Sequence, residues 1–344
     1  MSEFRKDPIT GRWRIMAEGR LARPNEYAKP TPRLDDPDCP FCAGHEARTT
    51  AELAAVRPTG TPANGPGWTI RAIPNKFPTV ALAVPPDRPA EVPGFLRAPG
   101  FGSHEVVIES PTHAPSMPNL SPAHLRELFR FLRERVRAAA DRPSIASVLL
   151  FENQGPESGG TLTHPHAQIL ATESVPPRLL EESDAFLRAA GSNGGGCLLE
   201  SMVAAEARAA DRLILTDERF VVLTPFASEH PYEAWIVPDR HAPNFATASD
   251  EEIDRLAELL PVVLRALDRI QPNVSYNWFV HGWEAPTPAK GSFHWHVEVA
   301  PRLVRADGYD LGAGVPVNPV APERAAAEYR AQVELERGPP PQKR

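Results

Sequence analysis

The chain has 344 residues, of which 42% are hydrophobic and 24% charged, and its formal net charge is −7. These are the proportions of a globular protein, and they exclude a broad basic field for nucleic acid, so any phosphate must be bound locally. No apolar run reaches the length of roughly 18 residues that a membrane span needs, and the first residues lack a signal-peptide core, so a cytoplasmic protein without membrane or nucleic-acid partners is expected.

Three cysteines, Cys39, Cys42 and Cys197, are too few and wrongly spaced for a disulfide framework. Cys39-Pro40-Phe41-Cys42 places two thiolates on one tight loop, as structural zinc sites do. Two further ligands are needed, and His113 and His164 are the candidates. Forty prolines, spread along the chain, predict a loop-rich architecture.

From residue 100 onward the chain reads as one plan used twice. The segment 104–113 predicts a strand ending in a proline turn and His113. Segment 232–241 repeats this and ends in His241, 128 positions later. A helix follows each. The first starts at Ser121, with Leu125, Leu128, Phe129, Leu132 and Val136 at helical spacing. The second starts at Ser249, again 128 positions on, with Ile253, Leu256, Leu260, Val263, Leu264 and Leu267 on one face and Pro261 expected to kink it. Strands 147–153 and 275–281 come next, then His164-Pro165-His166 and His294-Trp295-His296. The pattern predicts an α+β fold made of two tandem units, each a mostly antiparallel sheet with packed helices: residues 1–185, residues 186–330, and a flexible tail over 331–344.

In the run from His164 to Gln168, alternation along a strand would put His164, His166 and Gln168 on one surface. Nucleotidyl transfer through an enzyme nucleophile needs a neutral imidazole nitrogen aimed at phosphorus, with the other ring nitrogen donating to a carbonyl. His166 is the candidate nucleophile. Gln168 could donate to a phosphate oxygen, and the preceding Gly155-to-Thr163 loop could present backbone N–H groups and Thr161. A second metal set is available in the other half: Cys197, Glu200, His241 and His294, able to hold zinc or iron. Glu182, His281, His294 and His296 form a rival set, and a site that has lost its metal is a third reading.

These motifs resemble the galactose-1-phosphate uridylyltransferase family of the histidine-triad superfamily, with similarity also to plant-type ADP-glucose phosphorylases. The resemblance runs from Phe4-Arg5-Lys6-Asp7-Pro8 to Asn318-Pro319 and is most specific from Phe151 to Gln168. It implies two histidine-triad-like units and a ping-pong reaction in which a nucleoside diphosphate sugar leaves its nucleotide on His166, and a sugar 1-phosphate then takes it. It also implies that Asn153, Gly159, Thr161 and Gln168 contact phosphates, that Asn75, Phe77 and Val106 line the nucleoside pocket, and that Arg20 and Arg23 lie near the nucleotide. Cys39, Cys42, His113 and His164 match the family's zinc site, and relatives are homodimers. Uridylyl transfer to a hexose 1-phosphate is the leading expectation. A phosphorylase using the same covalent step is the alternative, and a nucleotide hydrolase a further one, against which Gln168 stands where hydrolases of the superfamily carry a third histidine.

Overall fold

The computed structural model describes residues 3–16, 37–82, 100–113, 116–192, 196–283 and 291–337. In chain order its strands and helices are β1 (Glu3–Lys6), β2 (Trp13–Met16), β3 (Ala54–Val56), β4 (Ile70–Pro74), β5 (Gly102–Ile108), α1 (Pro122–Ala140), β6 (Ser147–Gln154), β7 (His166–Thr172), α2 (Pro177–Ala190) and α3 (Leu198–Ala209). The second half continues with β8 (Leu213–Thr216), β9 (Phe220–Leu223), β10 (Ala234–Pro238), α4 (Asp250–Ile270), β11 (Tyr276–His281), β12 (His296–Pro301), α5 (Gly308–Ala313), β13 (Val317–Asn318) and α6 (Pro322–Arg337).

Ten strands form one sheet in the order β3-β4-β5-β7-β6-β11-β12-β10-β9-β8. Read outward from its centre, each half has the same connectivity, and every pairing in it is antiparallel. The duplication seen in the sequence is therefore a duplication of topology. The halves are fused through the β6–β11 pairing, where Asn153 faces Asn277 and Phe151 faces Phe279. The boundary expected at 185–186 falls inside α2, where Ala185 and Phe186 are buried. β1, β2 and β13 make a separate three-stranded sheet.

Helix starts follow their caps. The Ser121 side chain accepts from the backbone N–H of His124, and Ser249 and Glu252 form a reciprocal capping box. Pro261 does not end α4; the helix runs on to Ile270, with Pro261 buried among Leu260, Val263 and Leu264. Packing of this face outweighs the backbone hydrogen bond that proline removes. α1, α4 and α6 cover one face of the sheet, meeting Ala167, Ile169, Val148, Leu150, Val297 and Val299. The tail expected to be flexible from residue 331 is instead part of α6 as far as Arg337. Tyr329 and Val333 are buried, and Glu336 pairs with Arg265 and Arg269. Among the described residues no helix is long and apolar enough to cross a membrane.

The helix-covered face also buries two carboxyl groups, Glu109 and Glu152. The Trp278 indole N–H donates to Glu152, but Glu152 Oε1 and both oxygens of Glu109 have no hydrogen-bond partner among the described residues. Burial pushes Glu152 from the ordinary 4.5 up to about 7, and burial together with Glu152 raises Glu109. A carboxyl raised in the fold gives stability that is complete below the unfolded value and lost as pH rises through the folded one. Glu152 should therefore cost the fold stability as pH rises from about 4.5 through 7, and the loss persists above that. Glu152→Gln keeps an acceptor for Trp278 and removes the charge. It is expected to raise stability at pH 8 by about 1–3 kcal/mol and to leave it unchanged at pH 4. Urea denaturation at the two pH values measures this, and an equal effect at both would refute it.

Candidate active site and metal centres

The face opposite α1, α4 and α6 carries the candidate chemistry. Since Ala167 and Ile169 pack against the helices, alternation turns His166 and Gln168 to the other side of β7. His164 has a second task beside the one alternation gives it. It precedes β7, which begins at His166, and its side chain turns to the cysteines, whose loop packs with Val106 and Ile108 on the same side of the sheet as His166.

The four ligand atoms of Cys39, Cys42, His113 and His164 lie within 4.8 Å of one another. The sulfur-to-nitrogen distances are 3.5 Å for Cys39–His164, 3.6 Å for Cys42–His164 and 3.9 Å for Cys42–His113, all to Nδ1. A tetrahedral zinc with ordinary bond lengths sets such distances at about 3.6 Å. The outer nitrogens are held as metal-bound histidines require. His164 Nε2 donates to the Ser110 carbonyl at 2.8 Å, and His113 Nε2 lies 2.8 Å from the Thr163 hydroxyl. The residues fit a metal.

His166 is nine-tenths buried, and its Nδ1–H donates to the carbonyl of His164 at 2.8 Å. Nε2 is thereby the unprotonated nitrogen of the neutral ring, and it has no hydrogen-bond partner among the described residues. Burial lowers the His166 pKa against the opposing pull of the His164 carbonyl, so the ring is neutral at pH 7. Phe41, inside the cysteine loop, packs edge-on against both His164 and His166, at centroid distances of 6.0 and 5.3 Å.

By register, Asn153 on the neighbouring β6 and Gln168 on β7 lie on the same face of the sheet as His166. Val106 pairs directly with Gln168 and is buried. Asn75 follows from the end of β4, its side-chain oxygen accepting from the Phe77 backbone, while the Phe77 ring is 83% exposed. Part of the Gly-rich loop's backbone is held by the loop itself. The N–H groups of Ser158, Gly159 and Gly160 donate to Gly155, Pro156 and Gly155 carbonyls, so they are used within the turn. Gly159 has φ +86°, and a Cβ on Gly160 would lie 2.8 Å from the Asn153 and Gly155 carbonyl oxygens, so the turn's shape explains these glycines. Thr161 stands exposed at its exit. Arg20 and Arg23 lie outside the described residues.

The second half repeats the metal geometry. His294 Nε2 donates to the Pro238 carbonyl at 2.9 Å, 128 positions beyond the Ser110 acceptor of the first half, and its Nδ1 lies 3.3 Å from Cys197 Sγ. His241 Nδ1 is 3.5 Å from Glu200, and the four ligand atoms of Cys197, Glu200, His241 and His294 cluster within 4.8 Å. The rival set is split by this arrangement. Glu182, His281 and His296 remain together without His294, and Arg178 lies on their flank, 2.7 Å from Glu298 and 3.4 Å from Glu182.

His296 occupies the place of His166 but cannot act like it. Its Nδ1 reaches the His294 carbonyl at 3.2 Å and its Nε2 reaches Glu298 at 3.3 Å. Burial works against a charge there, but Glu298 outweighs it and raises the His296 pKa. One repeat thus offers an open ring nitrogen and the other a ring whose Nε2 is taken up by a carboxylate.

Residues 1–176 match the model of the galactose-1-phosphate uridyl transferase N-terminal domain. An ADP-glucose phosphorylase of Arabidopsis thaliana is 31% identical over 95% of this chain and 92% of its own length. The chain belongs to the galactose-1-phosphate uridyl transferase family. A galactose-1-phosphate uridylyltransferase of Thermotoga maritima is 26% identical over 97% of this chain and all of its own. The structure of an Arabidopsis thaliana ADP-glucose phosphorylase with bound ADP-glucose superposes with a TM-score of 0.80, at 28% identity, covering 96% of this chain and 98% of that one.

Within the family frame, three residues stand out that the sequence motifs do not mark: His104, Asn277 and Arg302. His104 lies on β5 and touches Gln168; Asn277 lies on β11 and touches Asn153. Both contacts are long-range in sequence, and no spacing signals them.

Proposed function

We propose that this protein is a nucleotidyltransferase that works through a covalent nucleotidyl-His166. The observation that carries the reading is the pair of unlike nitrogens on His166: Nδ1–H fixed to the His164 carbonyl, and Nε2 neutral and unpartnered among the described residues, on the sheet face it shares with Asn153 and Gln168. Nε2 attacks the α-phosphorus of a nucleoside diphosphate sugar. A P–N bond forms, the P–O bond to the sugar phosphate breaks, and sugar 1-phosphate leaves. The His164 carbonyl then faces the N–H of a cationic ring and stabilises it. A second sugar 1-phosphate reverses the sequence. The amides of Gln168 and Asn153 and the Thr161 hydroxyl contact phosphate oxygens; Asn75, Phe77 and Val106 form the nucleoside side of the pocket.

The leading substrate pair is UDP-glucose and a hexose 1-phosphate, in keeping with the family. A phosphorylase acting on ADP-glucose is the second reading, favoured by the 31% identity and by the 0.80 TM-score to a phosphorylase that binds ADP-glucose. Zinc is the metal proposed for Cys39, Cys42, His113 and His164, where it supplies a structural cross-link. Cys197, Glu200, His241 and His294 are proposed as the second metal position, holding zinc or iron. A homodimer is part of the same reading, and Phe77, 83% exposed beside the site, suits a surface that a second subunit covers.

Incubation with base-labelled UDP-glucose or ADP-glucose is expected to leave close to one acid-labile nucleotide per chain. Chasing the adduct with galactose 1-phosphate or with inorganic phosphate identifies the acceptor. Absence of an adduct with both donors would sink the proposal.

A further inference from the structure

Two side-chain carboxamides flank His166, and each could present either its oxygen or its –NH2 group. An oxygen turned toward a phosphate repels it; an amide N–H stabilises charge that builds on it. The surrounding donors and acceptors decide the matter.

Arg302 Nε donates to Asn277 Oδ1 at 2.6 Å, and a guanidinium can only donate. Asn277 Nδ2 lies 3.0 Å from the Ser158 carbonyl, which can only accept. The Asn277 amide is thus fixed at both ends. Its Nδ2 also reaches Asn153 at 2.7 Å, so Asn153 must accept there through Oδ1. The –NH2 of Asn153 is the end left over, and it has no partner among the described residues. Asn277 is buried on β11, so this arm runs from the second repeat into the first.

A second arm does the same for Gln168. The backbone N–H of Thr79 donates to His104 Nδ1 at 3.2 Å. The neutral ring then carries its hydrogen on Nε2, which donates to Gln168 Oε1 at 2.8 Å. Asn75 Nδ2, 3.3 Å from the same ring nitrogen, is a packing contact in this tautomer. The opposite tautomer would set Nδ1–H against the Thr79 N–H. Gln168 too keeps its –NH2 without a partner among the described residues.

We infer that Asn277, locked by Arg302, and His104, locked by the Thr79 backbone, are positioning residues that hold Asn153 and Gln168 with their –NH2 groups toward the reacting phosphate. The inference rests on the nucleotidyl-His166 reading for the identity of that phosphate. It assigns the second repeat a part in the chemistry of the first, although its own His296 is tied up.

Asn277→Asp keeps the shape and the contact with Arg302 but turns an acceptor toward Asn153, which must rotate and present its oxygen outward. Asn277→Ala removes the lock without reversing it. If Asn277 only fills space, the alanine variant is the worse of the two. The proposal requires the opposite order: single-turnover adduct formation about 100-fold slower for Asn277→Asp and about 10-fold slower for Asn277→Ala, with both variants folded by circular dichroism. His104→Gln, which retains a donor, should fall less than His104→Glu. Kd values for UDP and ADP should follow the same order, a readout that needs no covalent step. Nitrogen-15 spectra should show His104 as the Nε2–H tautomer. Equal effects of Asn277→Asp and Asn277→Ala, or an Nδ1–H His104, would overturn the proposal. Variants whose nucleotide Kd values follow the stated order, with no adduct formed even by the wild type, would instead count against His166 alone, leaving the orientation supported.

Discussion

Replacing His166 by asparagine is expected to abolish nucleotide labelling of the protein and to lower turnover by about ten-thousand-fold. The size follows from what is lost. The covalent step needs a nitrogen lone pair held in the site, and asparagine offers an amide nitrogen with none available. Its shape and polarity still suit the neighbourhood of the His164 carbonyl, so the fold should persist, and unchanged circular dichroism and zinc content are the control. His296→Asn is the informative comparison. It removes the matching residue of the second repeat, which is tied to Glu298 rather than open to a ligand. Labelling per folded chain should stay within about threefold of wild type, because that ring contributes no nucleophile. If His296→Asn removed the label and His166→Asn did not, the assignment of the two repeats would be reversed. The pH dependence adds a second check. The His166 pKa is lowered by burial, so adduct formation should stay level from pH 8 to 6.5 and fall only at more acid pH, as the ring takes up a proton on Nε2. A fall centred above 6.5 would contradict a desolvated nucleophile.

What the sequence displayed and what it hid divide along one physical line. Local signals were legible. Ser121 and Ser249 cap the helices they were expected to start, and the Cys39–Cys42 loop meets His113 and His164. The HxH strands also recur with their anchors, since Ser110 and Pro238 accept from His164 and His294 at matching positions. Such features depend on residue type and near-neighbour spacing, and duplication doubles them. The hidden ones depend on where distant strands meet. Nothing in spacing says that Asn277 pairs with Asn153 or that His104 sits one strand from Gln168; register alone brings them together. Local grounds mark Pro261 as a disturbance of its helix, and the buried face keeps α4 helical on both sides of it. The tail reads as charged and loose because α6 is weakly amphipathic, while Tyr329, Val333 and the Arg265–Glu336 pair secure it to α4. The rival metal set keeps Glu182, His281 and His296 together and loses only His294. His294 was open to two groups of partners in sequence, and in the fold its Nδ1 faces Cys197.

Cys39→Ser is expected to cost the first metal centre about one equivalent of bound zinc, to lower the melting temperature by about 5–10 °C, and to slow adduct formation by about 10- to 100-fold. A purely structural metal remote from the chemistry would give the first two effects without the third. The third follows from residue 164, which serves both sites: its imidazole Nδ1 faces the two sulfurs, and its carbonyl accepts from His166 Nδ1 at 2.8 Å. Phe41, between the two cysteines, packs on the same pair of rings. Loosening the cysteine loop therefore loosens the carbonyl that selects the reactive nitrogen of His166, and a ring free to change tautomer presents Nε2 as a nucleophile only part of the time. Cys197→Ser should separate the centres: metal falls by at most one equivalent, while adduct formation stays within about threefold of wild type, because His296 carries no chemistry. Elemental analysis alongside single-turnover labelling reads all three quantities on the same samples. Full labelling activity in a Cys39→Ser protein that has lost its metal would show that His166 is held without help from the cysteine loop, and the link through residue 164 would have to be abandoned.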